Sequence, residues 1–564
     1  MFERVFLIIA LSLLLQQPTF AQDWQTQTSD PHKMFIKFRE GARLLKLARE
    51  PREEASKPKV QQQASELGSF QAALGIVRLR AVKPDATLER LPGGIERLYV
   101  ASLADGSDVT QVLEAAHGMN EVEYAEPVYI CGGGDVPIQL GEQSQGLGES
   151  SFFPNDPQFP NQWGLHNTGQ YDFVQNGKVG ADLNVLTAWD ITTGSSDVLV
   201  AFLASGLQTS YRELCTRDAV SRVYKGYNFV SDNNDVTDDN WLGTYVTGVA
   251  AATGNNSYVM AGVDWNCLIL PVKVVNASFV GSSDWTAFGL TYAADQGANV
   301  ICMPFGAWNY KAGSALNDAL IYAISKGSII VACAASGWSY FNSYPAASDK
   351  IILVGSVDNR DKRLATSYGR VDFMAPGEKI MGLSYASQYG GTYVSGPTAA
   401  TPLVAGVVSL MLSLKKSLTF QEVYDILKES AVDQVGWPYE DTPGWDPYHG
   451  WGRVNAYRAL RLILERYRIG NTTYDYGASQ NYPNPFNGRT TIEYQLPKYS
   501  DSRSFHVSLK VYNILGQPVT TLVDEVQGMG YHYAYWYPSG PSGVYFYRLE
   551  AGDFVKTCKM IVVK

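Results

Sequence analysis

The chain has 564 residues, enough for about three domains, and its 45% hydrophobic and 18% charged residues are ordinary for a protein that buries a core. The formal net charge of −10 is spread along the chain, with no basic stripe for nucleic acid and no polybasic anchor for anionic lipid. Nucleic acid is therefore excluded as an expected partner.

Residues 1–21 are predicted to be a signal peptide. Arg4 gives a positive start, Val5–Leu15 an apolar run, and Thr19-Phe20-Ala21 a cleavage site. A membrane anchor is the alternative, but the run is shorter than the roughly 20 apolar residues that cross a bilayer. No other stretch is expected to span a membrane, so no transmembrane helix is expected after signal removal.

Residues 33–131 have the pattern of a small α+β domain. The predicted elements are strands at 34–38 and 98–103, a helix at 108–116 and a final extended segment at 122–127. The segment Glu121–Tyr129 (E-V-E-Y-A-E-P-V-Y) resembles the end of the subtilase propeptide, N-V-E-Y-A-E-P-N-Y. Residues 132–152, rich in Gly, Gln and Ser, are predicted to be a linker.

Residues 153–465 alternate short apolar runs with helical patterns. The apolar runs are 198–203, 268–274, 300–303, 329–333 and 351–354, and helical spacing covers 283–296, 314–326 and 398–415. Continuous apolar strands that alternate with helices predict an α/β domain with a buried, doubly wound parallel sheet. Thr419 and Glu422 predict a capping box at the start of a further helix.

Four blocks in this domain resemble those of the subtilisin-like serine peptidases, or subtilases. They are V-A-F-L-A-S-G (200–206), L-G-T-Y-V-T-G (242–248), V-A-C-A-A-S-G (331–337) and S-G-P-T-A-A-T-P-L-V-A-G (395–406). The family reads V-A-V-I-D-T-G, H-G-T-H-V-A-G, V-A-A-A-G-N and S-G-T-S-M-A-T-P-H-V-A-G at these places. The resemblance implies a subtilisin-like fold.

Every catalytic position in the four blocks carries a different residue. Ala204 stands at the aspartate position, Leu242 at the histidine, Ser336 at the oxyanion asparagine and Thr398 at the nucleophilic serine. Serine acyl transfer needs a histidine base that a carboxylate orients and donors for the oxyanion. The sequence therefore predicts that no catalytic residue of the family is intact.

Supporting positions differ as well, and no substitute base is evident. Tyr245, Pro397 and Leu403 replace a second histidine, a threonine and another histidine. The strand M-P-F-G makes Pro304, Phe305 and Gly306 candidates for the substrate cleft, with proline where the family has serine. The domain's two histidines, His166 and His449, are expected in surface or packing roles, and Asp238 and Asp239 as loop carboxylates.

Residues 474–564 are all-β by pattern and are predicted to form a sandwich. Three blocks, Y-P-N-P-F-N (482–487), V-Y-N-I-L-G-Q (511–517) and G-V-Y-F-Y (543–547), resemble the C-terminal sorting domain of type IX secretion substrates. The resemblance implies the outer-membrane secretion machinery as a partner and a secreted or cell-surface location. A β-sandwich binding module is the alternative.

The six cysteines give no sign of a metal centre. Cys302 and Cys333 lie in apolar runs and are expected to be core residues. No C-x-x-C pair or Cys/His cluster predicts zinc, and no sequence cluster predicts calcium, so neither a metal site nor a cofactor is expected.

Three functions remain open from the sequence. The favoured one is an exported pseudoprotease that binds a peptide or protein ligand, and its own propeptide, without serine endopeptidase activity. The second is an active endopeptidase with atypical catalytic residues built on Thr398. The third is a structural surface protein that reuses the fold, because fold alone does not establish function.

Overall fold

The structure is a computed structural model. It describes residues 28–42, 44, 58–84, 91–132, 153–171, 175–305, 314–334, 349–364, 370–467, 469, 477–478, 481, 484–497, 504–528, 530–552 and 554–563. The predicted signal peptide, nearly all of the predicted linker and the candidate site residues Gly306 and Ser336 lie outside these ranges.

The helices and strands fall into three consecutive parts of the chain. The N-terminal part contains β1 (Thr28–Phe38), α1 (Pro58–Ala73), β2 (Ile76–Ala81), β3 (Leu98–Leu103), α2 (Val109–His117) and β4 (Val122–Gly132). The middle part contains α3 (Val185–Trp189), β5 (Leu199–Ala204), β6 (Tyr227–Asn228), α4 (Leu242–Ala251), β7 (Leu268–Lys273), β8 (Val280–Ser282), α5 (Ser283–Asp295), β9 (Val300–Met303), α6 (Ser314–Ser325), β10 (Ile329–Cys333), β11 (Ile352–Val357), β12 (Phe373–Pro376), β13 (Ile380–Leu383), β14 (Gly391–Val394), α7 (Pro397–Leu414), α8 (Phe420–Ser430) and α9 (Ala456–Tyr467). The C-terminal part contains β15 (Gly477–Ala478), β16 (Thr490–Leu496), β17 (Ser504–Asn513), β18 (Pro518–Gly528), β19 (Gly530–Trp536), β20 (Gly543–Ala551) and β21 (Phe554–Val562).

The chain divides into two compact units. The first comprises residues 1–133 together with 280–288 and 313–319, and the second comprises the rest. The first unit is built on an antiparallel sheet in the order β2-β3-β1-β4-β8. Its core includes the ring of Phe38, whose centroid lies 5.7 Å from that of Phe70 and 5.5 Å from that of Tyr99. The α+β class predicted for this region is confirmed.

Charged side chains connect the segments of this first unit. Lys37 Nζ donates to Asp318 Oδ2 over 2.7 Å, and the Tyr124 hydroxyl donates to the same oxygen over 2.7 Å. Glu126 Oε1 accepts the backbone N–H of Ala315 over 3.0 Å at the start of α6. A carboxylate there is favourable because the first N–H groups of a helix are unpaired and the helix dipole is positive at that end.

The second unit contains a seven-stranded sheet in the order β12-β11-β10-β9-β5-β7-β6, and all of its pairs are parallel. All residues of β5, β9 and β10 are buried, as the continuous apolar runs predicted. The capping box is also confirmed, because the Thr419 hydroxyl accepts the Glu422 N–H over 3.3 Å while the Glu422 carboxylate accepts the Thr419 N–H over 2.8 Å.

The C-terminal part is all-β. Strands β15-β16-β19 form one sheet and β18-β17-β20-β21 another, and every pair is antiparallel. The core contains Ile492, Leu509, Tyr547 and Met560, each with no exposed surface. The predicted sandwich is confirmed, because alternating residues of both sheets supply one shared core.

The helix α7 (Pro397–Leu414) is apolar enough to cross a membrane by length and composition, contrary to the expectation that no stretch beyond the N-terminus would be. In the structure 89% of it is buried inside the protein. A helix that is hydrophobic all round is typical of the core of a large domain as well as of membranes. The described residues therefore place it as a core helix.

Candidate active site

The carboxyl edge of the parallel sheet has a point where its connections diverge. Strand β5 lies beside β9. The sheet continues from β5 to β7 and β6 on one side, and from β9 to β10, β11 and β12 on the other. Ligands of open α/β sheets bind at the carboxyl ends of the strands at such a point. Ala204 ends β5, and the buried Pro304 and half-buried Phe305 follow β9, so these three sequence-predicted residues lie at the same edge of the sheet.

Ala204 belongs to the core and not to a polar site. It is 1% exposed, and in the parallel ladder it stands opposite Lys273, the last residue of β7. Its carbonyl oxygen accepts the N–H groups of Val274 and Val275 over 2.8 and 3.1 Å. The position predicted to correspond to the catalytic aspartate thus holds a buried methyl group.

Lys273 is the one charged residue of that strand run, and its charge is already balanced. Its ammonium group donates to the carbonyl oxygens of Ser205 and Thr237 over 2.6 and 3.1 Å and is ion-paired with Asp239. The Lys273 side chain is 2% exposed. A buried ammonium group needs such partners, so Lys273 supports the loops around Ala204.

A buried hydrogen-bond network joins the end of β5 to the start of α4. The Ser205 hydroxyl donates to Asp238 Oδ1 over 2.7 Å and accepts the N–H of Gly243 over 3.0 Å. Asp238 Oδ2 accepts the N–H of Thr244 over 2.8 Å. The Asp238 carboxylate therefore pairs the N–H of Thr244 in the first turn of α4, where a negative charge is stabilised.

The backbones of Gly206 and Gly243 touch. A Cβ atom built on Gly243 would overlap the carbonyl oxygen of Gly206, and Gly206 has a φ of 118°, which side-chain-bearing residues rarely adopt. Only glycine fits at both positions. The contact brings Leu242, the residue before Gly243, beside the loop that follows Ala204.

Leu242 and Tyr245 occupy the positions predicted for two histidines, and both have no exposed surface. Leu242 begins α4 and has no atom that can accept a proton. The Tyr245 hydroxyl donates to the carbonyl oxygen of Ile380 over 2.9 Å, and its ring lies against Gly382. Both side chains contribute to packing.

Thr398 is the second residue of α7 and is 8% exposed. It follows Gly396, with a φ of 111°, and Pro397, a residue preferred in the first turn of a helix. Among the described residues, no histidine or carboxylate is hydrogen-bonded to the Thr398 hydroxyl. A hydroxyl without a neighbouring base is a poor nucleophile.

The two histidines of the domain have different surroundings. His166 is half-buried, and its ring lies edge-on to Phe153 at 6.0 Å between centroids. Burial lowers the pKa of His166, an effect that the negative charge of Asp182 opposes. His449 is completely buried, in the loop between α8 and α9. His166 therefore packs against an aromatic ring, and the burial of His449 excludes a surface position for it.

Sequence reasoning missed the roles of Ser205 and Asp238. Asp238 lies in a loop, as predicted, but it is 3% exposed and organises the start of α4. The usable signal was an acidic residue a few positions before an apolar helix, which is typical of N-terminal capping. The partnership with Ser205 joins residues 33 positions apart, and no local pattern predicts it.

Comparison with known protein families matches two regions. Residues 153–452 match the model described as "Subtilase family", and residues 480–564 match the "Secretion system C-terminal sorting domain". The second match identifies the β-sandwich as a type IX sorting domain. The protein is therefore secreted or displayed at the cell surface through the type IX secretion machinery.

Three bacterial relatives are similar to this chain in sequence. The chain is 32% identical to the thermophilic serine proteinase of Bacillus sp. (strain AK1) over 63% of this chain and 76% of that protein. It is 34% identical to thermitase of Thermoactinomyces vulgaris, over 55% of this chain and 100% of that protein. It is 32% identical to the cell wall-associated protease of Bacillus subtilis (strain 168), over 65% of this chain and 40% of that protein.

A solved structure has the same fold. It is fervidolysin from Fervidobacterium pennivorans, described as a keratinolytic enzyme related to subtilisin. The match has a TM-score of 0.58 at 18% identity and covers 93% of this chain and 71% of that one. With a family match over residues 153–452, a relative matched along its whole length and this shared fold, the chain belongs to the subtilase family.

Proposed function

We propose that this protein is an exported pseudoprotease, which uses the subtilase fold to bind a peptide or a partner protein without hydrolysing it. The observation that carries the proposal is the set of side chains around the carboxyl edge of the sheet. Ala204 and Leu242 are buried and cannot exchange a proton, and the Thr398 hydroxyl has no base among the described residues. The crevice beside Pro304 and Phe305 is the proposed binding place.

The chemistry of acyl transfer explains why these side chains matter. A hydroxyl attacks a carbonyl carbon only when a neighbouring base takes its proton, and a carboxylate must hold that base in the right tautomer. In subtilisin, loss of the serine or the histidine alone lowers kcat on the order of 10⁶-fold. The proposed assignment removes the base and the carboxylate together.

The N-terminal domain is proposed to stay attached as a ligand of the fold. Precursors of this family are cut by their own active site, and the proposed loss of activity removes that route. The contacts in the first unit support retention, because Lys37 pairs with Asp318 and β4 forms a ladder with β8, joining Cys131 to Gly281. Protein produced without other proteases should therefore keep residues 22–151.

An active endopeptidase with atypical residues is the second candidate. Relatives that share 32 to 34% identity are named proteases, and Thr398 keeps a hydroxyl at the start of α7. This candidate requires a base from residues outside the described ranges or from a rearrangement of the site. Peptide hydrolysis distinguishes the two candidates.

The deciding experiment is hydrolysis of a fluorogenic peptide library by the purified full chain, with a fluorophosphonate probe for an activated hydroxyl. We expect neither turnover nor labelling above background. Thr398→Ala is the matched control, because it removes the hydroxyl at the predicted nucleophile position and keeps the helix. Turnover that disappears in Thr398→Ala, or probe labelling of the chain that persists in it, would overturn the proposal, whereas equal turnover by both proteins without a labelled chain would come from a contaminant.

The sorting domain is proposed to act in export and not in ligand binding. Deletion of residues 474–564 removes an ion pair of 3.1 Å between Arg461 and Glu493, while the parallel sheet keeps its own core. In a host with type IX secretion, the truncated protein should stop in the periplasm and still melt cooperatively. Surface delivery of the truncated protein, or loss of its cooperative melt, would contradict this assignment.

A further inference from the structure

Two aspartates and a histidine come together in the loop between α8 and α9. Asp441, Asp446 and His449, together called the His449 cluster, are 3%, 3% and 0% exposed. Each offers one ligand atom, and these atoms all lie within 4.8 Å of one another. None of its members belongs to the candidate active site, so a role in the family's chemistry does not account for it.

The imidazole of His449 is a buried polar group without a partner. Both of its ring nitrogens are buried, and neither has a hydrogen-bond partner. An unpaired buried polar group costs about 1–3 kcal/mol, and an imidazole has two. A protonated imidazole that balanced the aspartates would donate to one of their oxygens, and no such bond is present. A ring nitrogen is therefore free to coordinate a metal ion.

The two carboxylates are held from behind by the backbone. Asp441 accepts the N–H groups of Gln434 and Gly436 over 3.2 and 2.6 Å. Asp446 accepts the N–H groups of Thr442, over 3.2 Å, and of His449, over 2.8 Å. Metal-binding carboxylates are oriented by outer hydrogen bonds of this kind.

The two carboxylates also lack a counter-ion. Within the described ranges, no lysine or arginine forms an ion pair with Asp441 or Asp446. A divalent cation would neutralise both charges and also satisfy the imidazole.

The backbone of Gly436 lies close against the His449 ring. A Cβ atom built on Gly436 would overlap His449 Nε2 and lie 3.2 Å from Asp441 Oδ2. The φ of Gly436 is outside the left-handed region, so its backbone does not itself require glycine. The absence of a side chain at this position therefore allows the imidazole to approach Asp441.

We propose that the His449 cluster binds a zinc ion, with the imidazole and one oxygen from each aspartate as ligands. Zinc takes mixed nitrogen and oxygen ligands, whereas calcium and magnesium take oxygen. Zinc bonds of about 2.1 Å place ligand atoms at most about 4 Å apart, so binding must draw the ligands together by up to about an ångström. Zinc closes the loop from Asp441 to His449 and stabilises it.

The test uses the full chain, purified without a metal-affinity step. Metal content is measured after dialysis against zinc and against EDTA, and melting temperature is measured with zinc, calcium and magnesium. Cobalt substitution reports the geometry by its visible absorption. We expect about one zinc per chain, a higher melting temperature with zinc than with the other two ions, and a tetrahedral cobalt spectrum.

Three variants test the ligands, and two serve as controls. His449→Ala and Asp446→Asn should weaken zinc binding by on the order of 100-fold or more, and Gly436→Ala should also weaken it, because the new methyl group would displace the His449 ring. Asp433→Asn, in the same loop but outside the cluster, and His166→Ala should keep the zinc. Zinc binding below one equivalent in the unsubstituted chain, stabilisation by calcium or magnesium instead, or unchanged binding in His449→Ala would each overturn the proposal.

Discussion

The candidate active site and the His449 cluster differ in whether their buried polar groups have hydrogen-bond partners. At the active site, Ala204 and Leu242 are apolar and fully packed, and the polar neighbours Ser205 and Asp238 are paired with each other. In the His449 cluster, a fully buried imidazole has no partner at either nitrogen. In the first region the buried polar groups named above are paired, whereas in the second both imidazole nitrogens are buried and unpaired. An unpaired buried group is thus a better sign of a ligand than a family's motif position.

The largest expected effect concerns the chemistry at the first region. Ala204→Asp, Leu242→His, Ser336→Asn and Thr398→Ser together restore the groups of the family motif, and no single reversion should raise peptide hydrolysis above background. The reason is that the members of the triad act as a unit, with losses on the order of 10⁶-fold in kcat when the serine or the histidine is missing.

The matched measurement is single-turnover hydrolysis by each single variant and by the quadruple one. Pro304 and Pro397 remain in the quadruple variant, so its rate also measures what those prolines do to the backbone. Activity in Leu242→His alone would break the comparison, because it would reveal a nucleophile and an orienting group already in place.

A buried carboxyl away from both regions provides a pH test. Burial raises the pKa of Glu213 to about 7 from its usual 4.5, although Asn256 and Met260 donate to it. The folded protein therefore binds more protons than the unfolded chain between these values. The stability from protonated Glu213 is complete below pH 4.5 and is lost as the pH rises through 7, about 3 kcal/mol in total.

Urea unfolding from about pH 4 to 8 measures this effect, with Glu213→Gln as the control that cannot titrate. The difference in unfolding free energy between the two proteins should shift in favour of the glutamine variant as the pH rises. A difference that does not change with pH would contradict the raised pKa. The pH-dependent part of the unfolding free energy is thus assigned to Glu213 and can be told apart from the cost of burying the unpaired imidazole of His449.

Removal of the Ser205 hydroxyl should destabilise the first region by about 2 kcal/mol. Ser205→Ala leaves the N–H of Gly243 and one oxygen of Asp238 without that partner in a buried place. Chemical denaturation of the full chain measures the loss. Ser195→Ala is a control at an exposed hydroxyl, which accepts the N–H of Asp197, and it should cost less. An equal cost would mean that the buried network is not special.

The smallest effect should change sign with the metal. His449→Leu removes an unpaired buried imidazole, so in EDTA it should leave stability unchanged or raise it by about 1 kcal/mol. With zinc present, the same change should destabilise, because the unsubstituted protein alone gains binding energy. Melting temperatures in the two buffers measure both signs. Destabilisation of equal size in EDTA and in zinc would show that the ring is an ordinary packing residue.

The sequence predicted what depends on periodicity and local capping. Continuous apolar runs identified the parallel strands, and the helix expected at 283–296 is observed at Ser283–Asp295. Strand β5 runs one residue further than expected and includes Ala204. The inclusion of residues 280–288 in the N-terminal unit was not predicted, because strand pairing between β4 and β8 joins distant parts of the chain.

The candidate site divides in the same way. The family blocks located the end of β5 at Ala204 and the start of α4 at Leu242, since short glycine-containing blocks keep their local form. The His449 cluster could not be predicted, because spacings of five and three residues in an irregular loop follow neither helix nor strand periodicity. Its burial depends on tertiary packing, and only the folded loop shows that the imidazole has no partner.

The touching backbones of Gly206 and Gly243 have a consequence for protein engineering. Because neither position accepts a Cβ atom, the separation of the α-carbons at 204 and 242 is set by the main chain and does not depend on which side chains they carry. Other pairs of residues can therefore be substituted at positions 204 and 242, with the backbone geometry between them known in advance.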